Sequence, residues 1–444
     1  MPDRKPALAR ELGLRDLVLF NIAAVVGIRW LAAAAHTGPD SIGLWLGAAI
    51  FFFIPSALAV SRLSAEVPEE GGLYAWTRNS FGDWHGFLCG WCYWLSNLFY
   101  IPNLLLAGIA MAVYGLGSSH AWLGDARLFV IPVAVAVLWI GTITNLVGMR
   151  VGKWTQNAGA VATYGAGALV VGLGIGVWIV HGSATPLAVA PRWDWNRLNF
   201  WSQIAFAFGG LELGAVMGGE IRNPERNVPR AAWISGLAIA AFYIAGTLAV
   251  LAVLKPGEVN IVSGLAQAAA AAGDRLGVPL VAPLVAVLIA FGITGQLGAW
   301  IAGCARVPFA IGLDRYLPAA FARLHPRWKT PHVAILSQAA ACTIFLLAML
   351  IGEDVRTGYQ LLVDLTVVTY FIPFLYLFAT AARHGLRLSA AAGMVVTVAG
   401  IVFSVVPPDG VASVWRFETK LAAGCLLLVG AGRMAFLRGR RAQA

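Results

Sequence analysis

The sequence predicts an all-α membrane protein in which two spanning helices are interrupted, and two observations support this prediction. The first is composition: of 444 residues, 59% are hydrophobic and 12% are charged, and the mean hydropathy is +0.76, whereas soluble domains carry about 25% charged residues. The second is the segment 206–230, in which Gly209, Gly210 and Glu212 lie within an otherwise apolar run. Adjacent glycines destabilise a helix by about 1 kcal/mol each, and an ionisable group at membrane depth costs at least about 2.5 kcal/mol. A broken helix whose freed backbone groups line a polar cavity accounts for both features.

Apolar runs of about 20 residues, the length needed to cross a bilayer, predict twelve spans. In chain order they lie near 17–36, 42–62, 84–115, 128–147, 156–180, 198–218, 231–254, 279–312, 332–351, 358–380, 388–406 and 417–436.

The formal charge of +10 is distributed as in a multi-pass membrane protein. Lys and Arg are concentrated in alternate loops and at both ends of the chain, which predicts two cytoplasmic termini by the positive-inside rule. No basic face is interleaved with aromatic residues, so no nucleic-acid partner is expected. The expected location is the cytoplasmic membrane, with the lipid bilayer surrounding the spans.

Three ionisable residues are assigned to the interior of spans: Arg29 in span 1, Glu212 in span 6 and Asp364 in span 10. Arg29 and Glu212 lie five spans apart. Interruptions at corresponding positions of two halves are typical of an inverted repeat that has its binding site at the interface between the repeats.

Each of these residues has two roles that the sequence leaves open. Arg29 either acts as a structural cation that bonds freed carbonyls or pairs with Glu212, or it receives a substrate carboxylate in bidentate geometry. Glu212 is either the counter-ion of Arg29 or a group that gains and loses a proton as the cavity opens. Asp364 either bonds hydroxyl groups such as those of Thr366 and Thr369 or belongs to a proton path.

Four stretches carry a recognisable pattern: AEVPEEGGLY at 65–74, EIRNPERNVPR at 220–230, LGAW at 297–300 and PFLY at 373–376. In these stretches the chain resembles the amino acid–polyamine–organocation (APC) transporter superfamily. The last two are closest to its basic amino acid/polyamine antiporter branch. Charges in the turn 223–227, including that of Arg226, are a hypothetical inner gate that pairs with the loop between spans 8 and 9.

The resemblance implies a LeuT-type fold built from a 5+5 inverted repeat. Residues 1–16 would form a cytoplasmic segment, 17–180 the first repeat, 198–380 the second repeat, 388–436 two peripheral helices and 437–444 a cytoplasmic tail.

The resemblance also implies a substrate site between broken spans 1 and 6. Phe206 falls where the family places an aromatic gate, Trp300 where the antiporter branch has a gating tryptophan, and Glu212 where that branch senses protons. The expected substrate-binding residues are Val26, Gly27, Ile28, Arg29, Phe206, Phe208, Gly209, Gly210 and Trp300. Glu212 and Asp364 are the expected gating or proton-transfer residues.

Two departures from the family pattern concern the chemistry of the site. The break of span 1 usually reads Gly-Ser-Gly, but here residues 27–29 are Gly-Ile-Arg. The position at which many relatives carry a lysine in place of a sodium ion is matched by Thr163, and span 8 offers Gln296 and Gly298 instead of paired hydroxyls. Sodium coupling and a metal site are therefore not expected.

The leading functional hypothesis is a secondary transporter of an amino acid or close derivative, working as an antiporter or a proton symporter. The extra cation at Arg29 favours neutral or acidic amino acids, although the span-8 pattern resembles relatives that carry basic substrates. The alternatives are a transporter of a carboxylate solute without an α-amino group, and a nutrient sensor that does not transport. The chain has no His-Glu-x-x-His and no Gly-x-Ser-x-Gly sequence, so an enzyme is not expected. No cofactor is expected, and the protein is expected to be a monomer or a homodimer.

Overall fold

The computed structural model describes residues 10–69, 71–186, 198–350, 354–406 and 413–442. The expected N-terminal segment 1–16 is thus described only from residue 10, and the tail 437–444 only to residue 442. The described residues are almost entirely helical, and their one β contact is an isolated bridge between Leu12 and Ile221.

The α-helices are numbered here in chain order. They are α1 (Leu14–Val25), α2 (Arg29–Thr37), α3 (Ser41–Ala48), α4 (Ile54–Glu66), α5 (Leu73–Phe81), α6 (Asp83–Ala112), α7 (Arg127–Leu146), α8 (Met149–His181), α9 (Leu198–Phe206), α10 (Leu211–Val216), α11 (Pro224–Val253), α12 (Gly264–Arg275), α13 (Val281–Leu313), α14 (His332–Met349), α15 (Val355–Arg383), α16 (Arg387–Ser404) and α17 (Val414–Arg441).

Every predicted span overlaps a helix or a pair of helices. Within the described ranges, nine helical segments are long and apolar enough to cross a membrane, and α1 with α2 forms a tenth if this bent pair is one span. The helix α14 is apolar but shorter, and α9 and α10 are separated by four residues. A multi-pass helical membrane protein is therefore confirmed, whereas the total of twelve spans is not established.

The second span contains a distortion that the hydropathy pattern did not predict. A π-helical turn, Ala49–Phe53, connects α3 to α4, and Pro55 occupies the first turn of α4. Proline has no amide hydrogen, so the carbonyl one turn before Pro55 loses its helical partner. A π-bulge is one of the ways in which a helix accommodates such a loss.

The long helices α6, α11, α13 and α15 carry the side chains that reach the two interrupted spans. The contact between α8 and α13 is close because Gly159 and Gly295 face each other: a Cβ atom on Gly159 would lie 2.5 Å from the Cα atom of Gly295. Small residues at a helix interface let two backbones approach in this way.

Candidate functional site

The first interrupted span bends where the sequence places its glycine. Helix α1 ends at Val25, α2 begins at Arg29, and the two axes differ by 48°. A Cβ atom on Gly27 would overlap the indole ring of Trp30, so a residue with a side chain does not fit there without displacing that ring. The predicted break of span 1 is therefore present.

Side chains from α13 satisfy the carbonyl groups that this break releases. The Nε2 amide of Gln296 donates to the carbonyl oxygens of Ala24, at 3.0 Å, and Val26, at 3.2 Å. The indole nitrogen of Trp300 donates to the Ala24 oxygen at 2.8 Å. Buried carbonyls without partners are costly, so Gln296 and Trp300 stabilise the break as well as lining it.

The second interrupted span breaks between α9, which ends at Phe206, and α10, which begins at Leu211. Gly210 has a φ of 114°, a conformation that residues with a side chain rarely adopt. A Cβ atom on Gly209 would lie 2.5 Å from the ring of Tyr370. The two glycines that predicted the break are thus needed for different reasons, one for backbone geometry and the other for space.

One tyrosine of α11 contacts both breaks. The hydroxyl oxygen of Tyr243 accepts a hydrogen bond from the amide of Gly27 at 3.1 Å. The same oxygen lies 2.8 Å from the carbonyl oxygen of Val25 and 2.9 Å from that of Ala207, and its single proton can be donated to either of them. Tyr243 was not identified from the sequence, because a tyrosine in an apolar span is an ordinary core residue.

Arg29 is the first residue of α2 and is only 1% exposed. Its guanidinium group lies 4.3 Å from the ring centroid of Trp30 and 4.8 Å from that of Tyr100. Its Nε and Nη2 atoms are buried and have no hydrogen-bond partner among the described residues, and it forms no ion pair with any of them. Nε and Nη2 form one edge of the guanidinium fork, the arrangement that receives a carboxylate in bidentate fashion.

Glu212 does not pair with Arg29, so the structural pairing considered from the sequence is not formed. Its Oε1 atom accepts hydrogen bonds from the hydroxyls of Tyr93, at 2.8 Å, and Tyr370, at 2.6 Å. Its Oε2 atom accepts from the amide of Gly210 at 3.0 Å, which caps the N-terminus of α10. The carboxyl group therefore connects α6, α15 and the second break.

Five aromatic rings pack around the breaks, and none of them is more than 4% exposed. Phe206 contacts Trp30, Tyr100 and Tyr370 edge to face, with centroid distances of 5.5, 6.1 and 5.0 Å. Trp300 lies 4.6 Å from Tyr100 and 6.3 Å from Tyr370. The site is thus occluded from solvent on both sides in this conformation. Tyr93 and Tyr100 were missed from the sequence, although their spacing of seven residues places them on one face of α6.

Two of the predicted site residues have surroundings that differ from those expected. Phe208 packs on Trp45, with centroids 5.6 Å apart, and on Tyr243, at 5.5 Å, and not on the rings that contact Arg29. Asp364 is completely buried. The Thr366 and Thr369 hydroxyls expected to bond it instead donate to carbonyl groups of their own helix α15, so neither proton is available to the carboxylate.

A buried ion pair joins α13 to the segment that follows α10. The Nη2 atom of Arg306 on α13 lies 2.8 and 3.1 Å from the two carboxylate oxygens of Glu220. The carbonyl oxygen of Glu220 accepts hydrogen bonds from the amides of Glu11 and Leu12, each at 3.0 Å. Arg306 lies within predicted span 8, so the assignment of only three ionisable residues to span interiors was wrong.

The turn 223–227 does not supply this ion pair. Arg226 is exposed and takes part in no ion pair within the described part of the chain. The paired charges come from Glu220, three residues before the turn, and from the interior of α13. The reason is geometric: Glu220 is the last residue of the short 3-10 turn after α10 and is buried, whereas Arg226 lies in the first turn of α11 and is exposed.

A second polar cluster connects α5 to the residue after α13. The Tyr74 hydroxyl donates to Asp314 Oδ2 at 2.6 Å, and Arg78 bonds the same oxygen. Burial, together with the hydrogen bond to Asp314, raises the pKa of Tyr74 well above its ordinary value. Tyr74 therefore remains a neutral donor, and the cluster fixes α5 against the end of α13.

Comparison with known proteins shows what the chain is similar to. A family model described as amino acid permease matches residues 12–417. The chain is 28% identical to an uncharacterized transporter of Legionella pneumophila over 95% of both chains. It is also 28% identical to the serine/threonine exchanger SteT of Bacillus subtilis over 77% of each chain. Its identity to the glutamate/serine transporter AimA of the same bacterium is 26%, over 76% of this chain and 66% of the relative.

Proposed function

The chain belongs to the amino acid permease family, as the resemblance to the APC superfamily predicted, and on that premise we propose that it is a secondary transporter which carries an amino acid across the cytoplasmic membrane by alternating access. The observation that supports this proposal most directly is the unfilled Nε–Nη2 edge of Arg29 between two broken helices. Removing one partner from a buried charge pair typically costs about 3–5 kcal/mol. A substrate carboxylate would supply the missing partner.

The backbone around Arg29 favours the same ligand group. Arg29 begins α2, and the N-terminus of a helix carries partial positive charge that favours anions. The amide of Ile28, next to it in the break, has no acceptor among the described residues. A carboxylate bound here would accept from the guanidinium and from backbone amides together. Half-helix N-termini hold substrate carboxylates in this way in transporters with broken spans.

Alternating access requires the two ends of the site to open in turn. On the α10 side, opening would separate Arg306 from Glu220 and release the backbone bonds of Leu12. On the opposite side, the ring of Phe206 against Trp30 covers the guanidinium group. We assign the ion pair and the aromatic pair as the two gates.

Glu212 is the proposed proton-linked group. Its carboxyl group is buried and bonded to Tyr93, Tyr370 and Gly210, each of which belongs to an element that lines the site. Adding a proton would change which of these bonds the oxygens can accept, so protonation and the position of α10 would be coupled. Asp364 is the second candidate for a proton path because it is fully buried in α15.

The remaining parts of the proposal concern arrangement in the membrane. Residues 17–180 and 198–380 would be the two inverted repeats, with 388–436 as two peripheral helices. The concentration of Lys and Arg in alternate loops supports cytoplasmic termini. Substrate-site residues would be those named from the sequence except Phe208, which packs on Trp45 and Tyr243. Gln296, Tyr100 and Tyr243 are added from their contacts.

The proposal is tested by counterflow in proteoliposomes that contain the purified full-length protein. Vesicles loaded with unlabelled serine, glutamate, glycine or arginine are presented with the labelled form, and saturable accumulation is expected for at least one of them. Arg29→Gln should abolish it, because the amide side chain supplies neither the charge nor the fork. Arg226→Gln, on an exposed arginine, is the control. The absence of saturable uptake for all four amino acids, or unaltered uptake by Arg29→Gln, would contradict the proposal.

A further inference from the structure

We infer that the solute held between the two breaks is a net anion: a carboxylate whose bound form carries a charge of −1 rather than a zwitterion of zero net charge. The inference rests on the proposed function in one respect, namely that the space around Arg29 is the substrate site. It goes further by stating which charge the substrate carries. Three features of the site support it.

The first feature is the charge balance around Arg29. Three buried carboxyl groups belong to elements that line the breaks or lie beside them. Glu212 is bonded to two tyrosines and the Gly210 amide, Glu220 is paired with Arg306, and Asp364 lies in α15. Among the described residues, none of the three forms an ion pair with the guanidinium group. A zwitterion would bring one negative and one positive charge and leave the guanidinium without a net counter-charge. A net anion would neutralise the guanidinium, and the gain is largest where water is excluded.

The second feature is that backbone carbonyls freed by the breaks are already bonded. Carbonyl groups of unwound helices are the usual ligands for cations in transporters of this kind. Here the carbonyls of Ala24 and Val26 accept from side chains of α13. Those of Val25 and Ala207, on opposite breaks, both face the hydroxyl of Tyr243. Neutral donors of the protein therefore cap the first two carbonyls, and the Tyr243 proton caps one of the other two at a time, which reduces the acceptors left for an ammonium group.

The third feature is the use of the aromatic faces. An ammonium group can also bind to the negative face of an aromatic ring. The guanidinium group of Arg29 already lies over the rings of Trp30 and Tyr100, at 4.3 and 4.8 Å. A second cation on these faces would be repelled by Arg29 at short range. The aromatic faces that could bind an ammonium group are thus already occupied by the guanidinium group of Arg29.

Two sources provide the same ligand chemistry. An acidic amino acid such as glutamate has two carboxylates and one ammonium group, and a hydroxy acid such as lactate has one carboxylate and none. Both carry a net charge of −1 at neutral pH. The experiment therefore includes one of each, beside serine as the neutral zwitterion and arginine as the cation.

The test combines binding with transport, so that failure of this inference can be told from failure of the proposed function. Thermal shift of the purified protein ranks the binding of glutamate, lactate, serine and arginine, since a ligand of the folded state raises the melting temperature by mass action. Counterflow with the same four labelled solutes reports transport. Glutamate or lactate is expected to bind at least about tenfold more tightly than serine, a factor that corresponds to about 1.4 kcal/mol.

Two variants of Arg29 test whether that residue sets the preference. In Arg29→Gln the preference for the anion over serine should disappear. In Arg29→Lys it should remain with weaker affinity, because the charge is kept and the fork is lost. A melting temperature near that of the parent protein shows that each variant is folded.

The outcomes distinguish two claims: that the site prefers a net anion, and that the protein transports its ligand. Serine binding as tight as that of both anions, with serine counterflow, would overturn the inference and support transport of an amino acid. Anion-selective binding without counterflow of any solute would support the inference and contradict transport. Anion selectivity that survives in Arg29→Gln would overturn the assignment to Arg29, and no response to any of the four solutes in either assay would overturn both claims.

Discussion

The hydroxyl oxygen of Tyr243 lies 2.8 Å from the carbonyl oxygen of Val25, although 218 positions separate the two residues in the chain. The same hydroxyl faces Ala207 in the second break and accepts from Gly27 in the first. A hydroxyl has one proton, so it can donate to only one of the two carbonyls at a time. The two interrupted spans are therefore linked through a single side chain, and a motion that separates them must break one of these bonds.

Replacing this tyrosine tests the link. Tyr243→Phe would leave the Gly27 amide without its acceptor and one of the two carbonyls without its donor, and each buried polar group left unsatisfied costs about 1–3 kcal/mol. A lower melting temperature and reduced counterflow are expected. The matched control is Tyr164→Phe: the Tyr164 hydroxyl is buried without a hydrogen-bond partner in the described residues, so removing it should be neutral or stabilising. Equal effects of the two substitutions would argue against a special role for Tyr243.

The buried pair of Arg306 and Glu220 gives a prediction about stability. Arg306→Met leaves an uncompensated carboxylate among buried groups and should destabilise the protein by about 3–5 kcal/mol. Combining it with Glu220→Gln should restore much of the loss, because the unpaired charge is removed. The control Arg226→Met changes an exposed arginine and should have little effect on melting. Additive losses in the double variant would show that the two charges are not coupled.

Glu212→Gln tests the proposed proton link. The amide cannot exchange a proton near neutral pH, so transport should become less dependent on pH while the hydroxyls of Tyr93 and Tyr370 can still donate to its oxygen. Uptake is measured in proteoliposomes from acidic to neutral pH, with and without an imposed proton gradient. Glu225→Gln, at an exposed carboxylate, serves for comparison. An unchanged pH profile in Glu212→Gln would remove this residue from the coupling mechanism.

The contact between α8 and α13 is sensitive to a single methyl group. Gly159→Ala would place a Cβ atom 2.5 Å from the Cα atom of Gly295, and overpacking of this kind typically costs about 1–3 kcal/mol. Gly165→Ala in the same helix meets only a leucine methyl group at 3.7 Å. It should be tolerated and gain helix propensity of up to about 1 kcal/mol. Melting curves of the two variants compare them directly, and a Gly159→Ala protein as stable as Gly165→Ala would contradict the packing described.

Much of the candidate site could be predicted because its signals are local. The cost of Gly209, Gly210 and Glu212 in an apolar run is a property of the sequence alone, and it indicated the second break correctly. Arg29 stood out for the same reason, since a cation in a span is rare. Phe206 and Trp300 were identified only through the family resemblance, because aromatic residues are common in buried helices.

The partners of these residues could not be predicted. Arg29 and Glu212 have opposite charges at corresponding breaks, and pairing them was reasonable until the structure placed two tyrosine hydroxyls on the carboxylate. Arg306 was overlooked within a long apolar span because hydropathy averages over a window. The bonds from Thr366 or Thr369, one of the two alternatives considered for Asp364, are not formed because both hydroxyls donate to their own helix.

The sequence by itself determined that the chain crosses a membrane, where its helices run and where two of them are interrupted, because hydrophobicity and helix propensity act over neighbouring residues. The tertiary structure decided which donors reach the freed carbonyls. It also decided that Glu220 pairs with Arg306 while Glu212 does not pair with Arg29, so that one edge of the Arg29 guanidinium has no partner among the described residues. Those outcomes depend on the contact of side chains from helices far apart in the chain, and hydrogen bonds operate only over about 3 Å. A sequence pattern therefore cannot predict these hydrogen bonds, because they depend on which helix faces pack against each other.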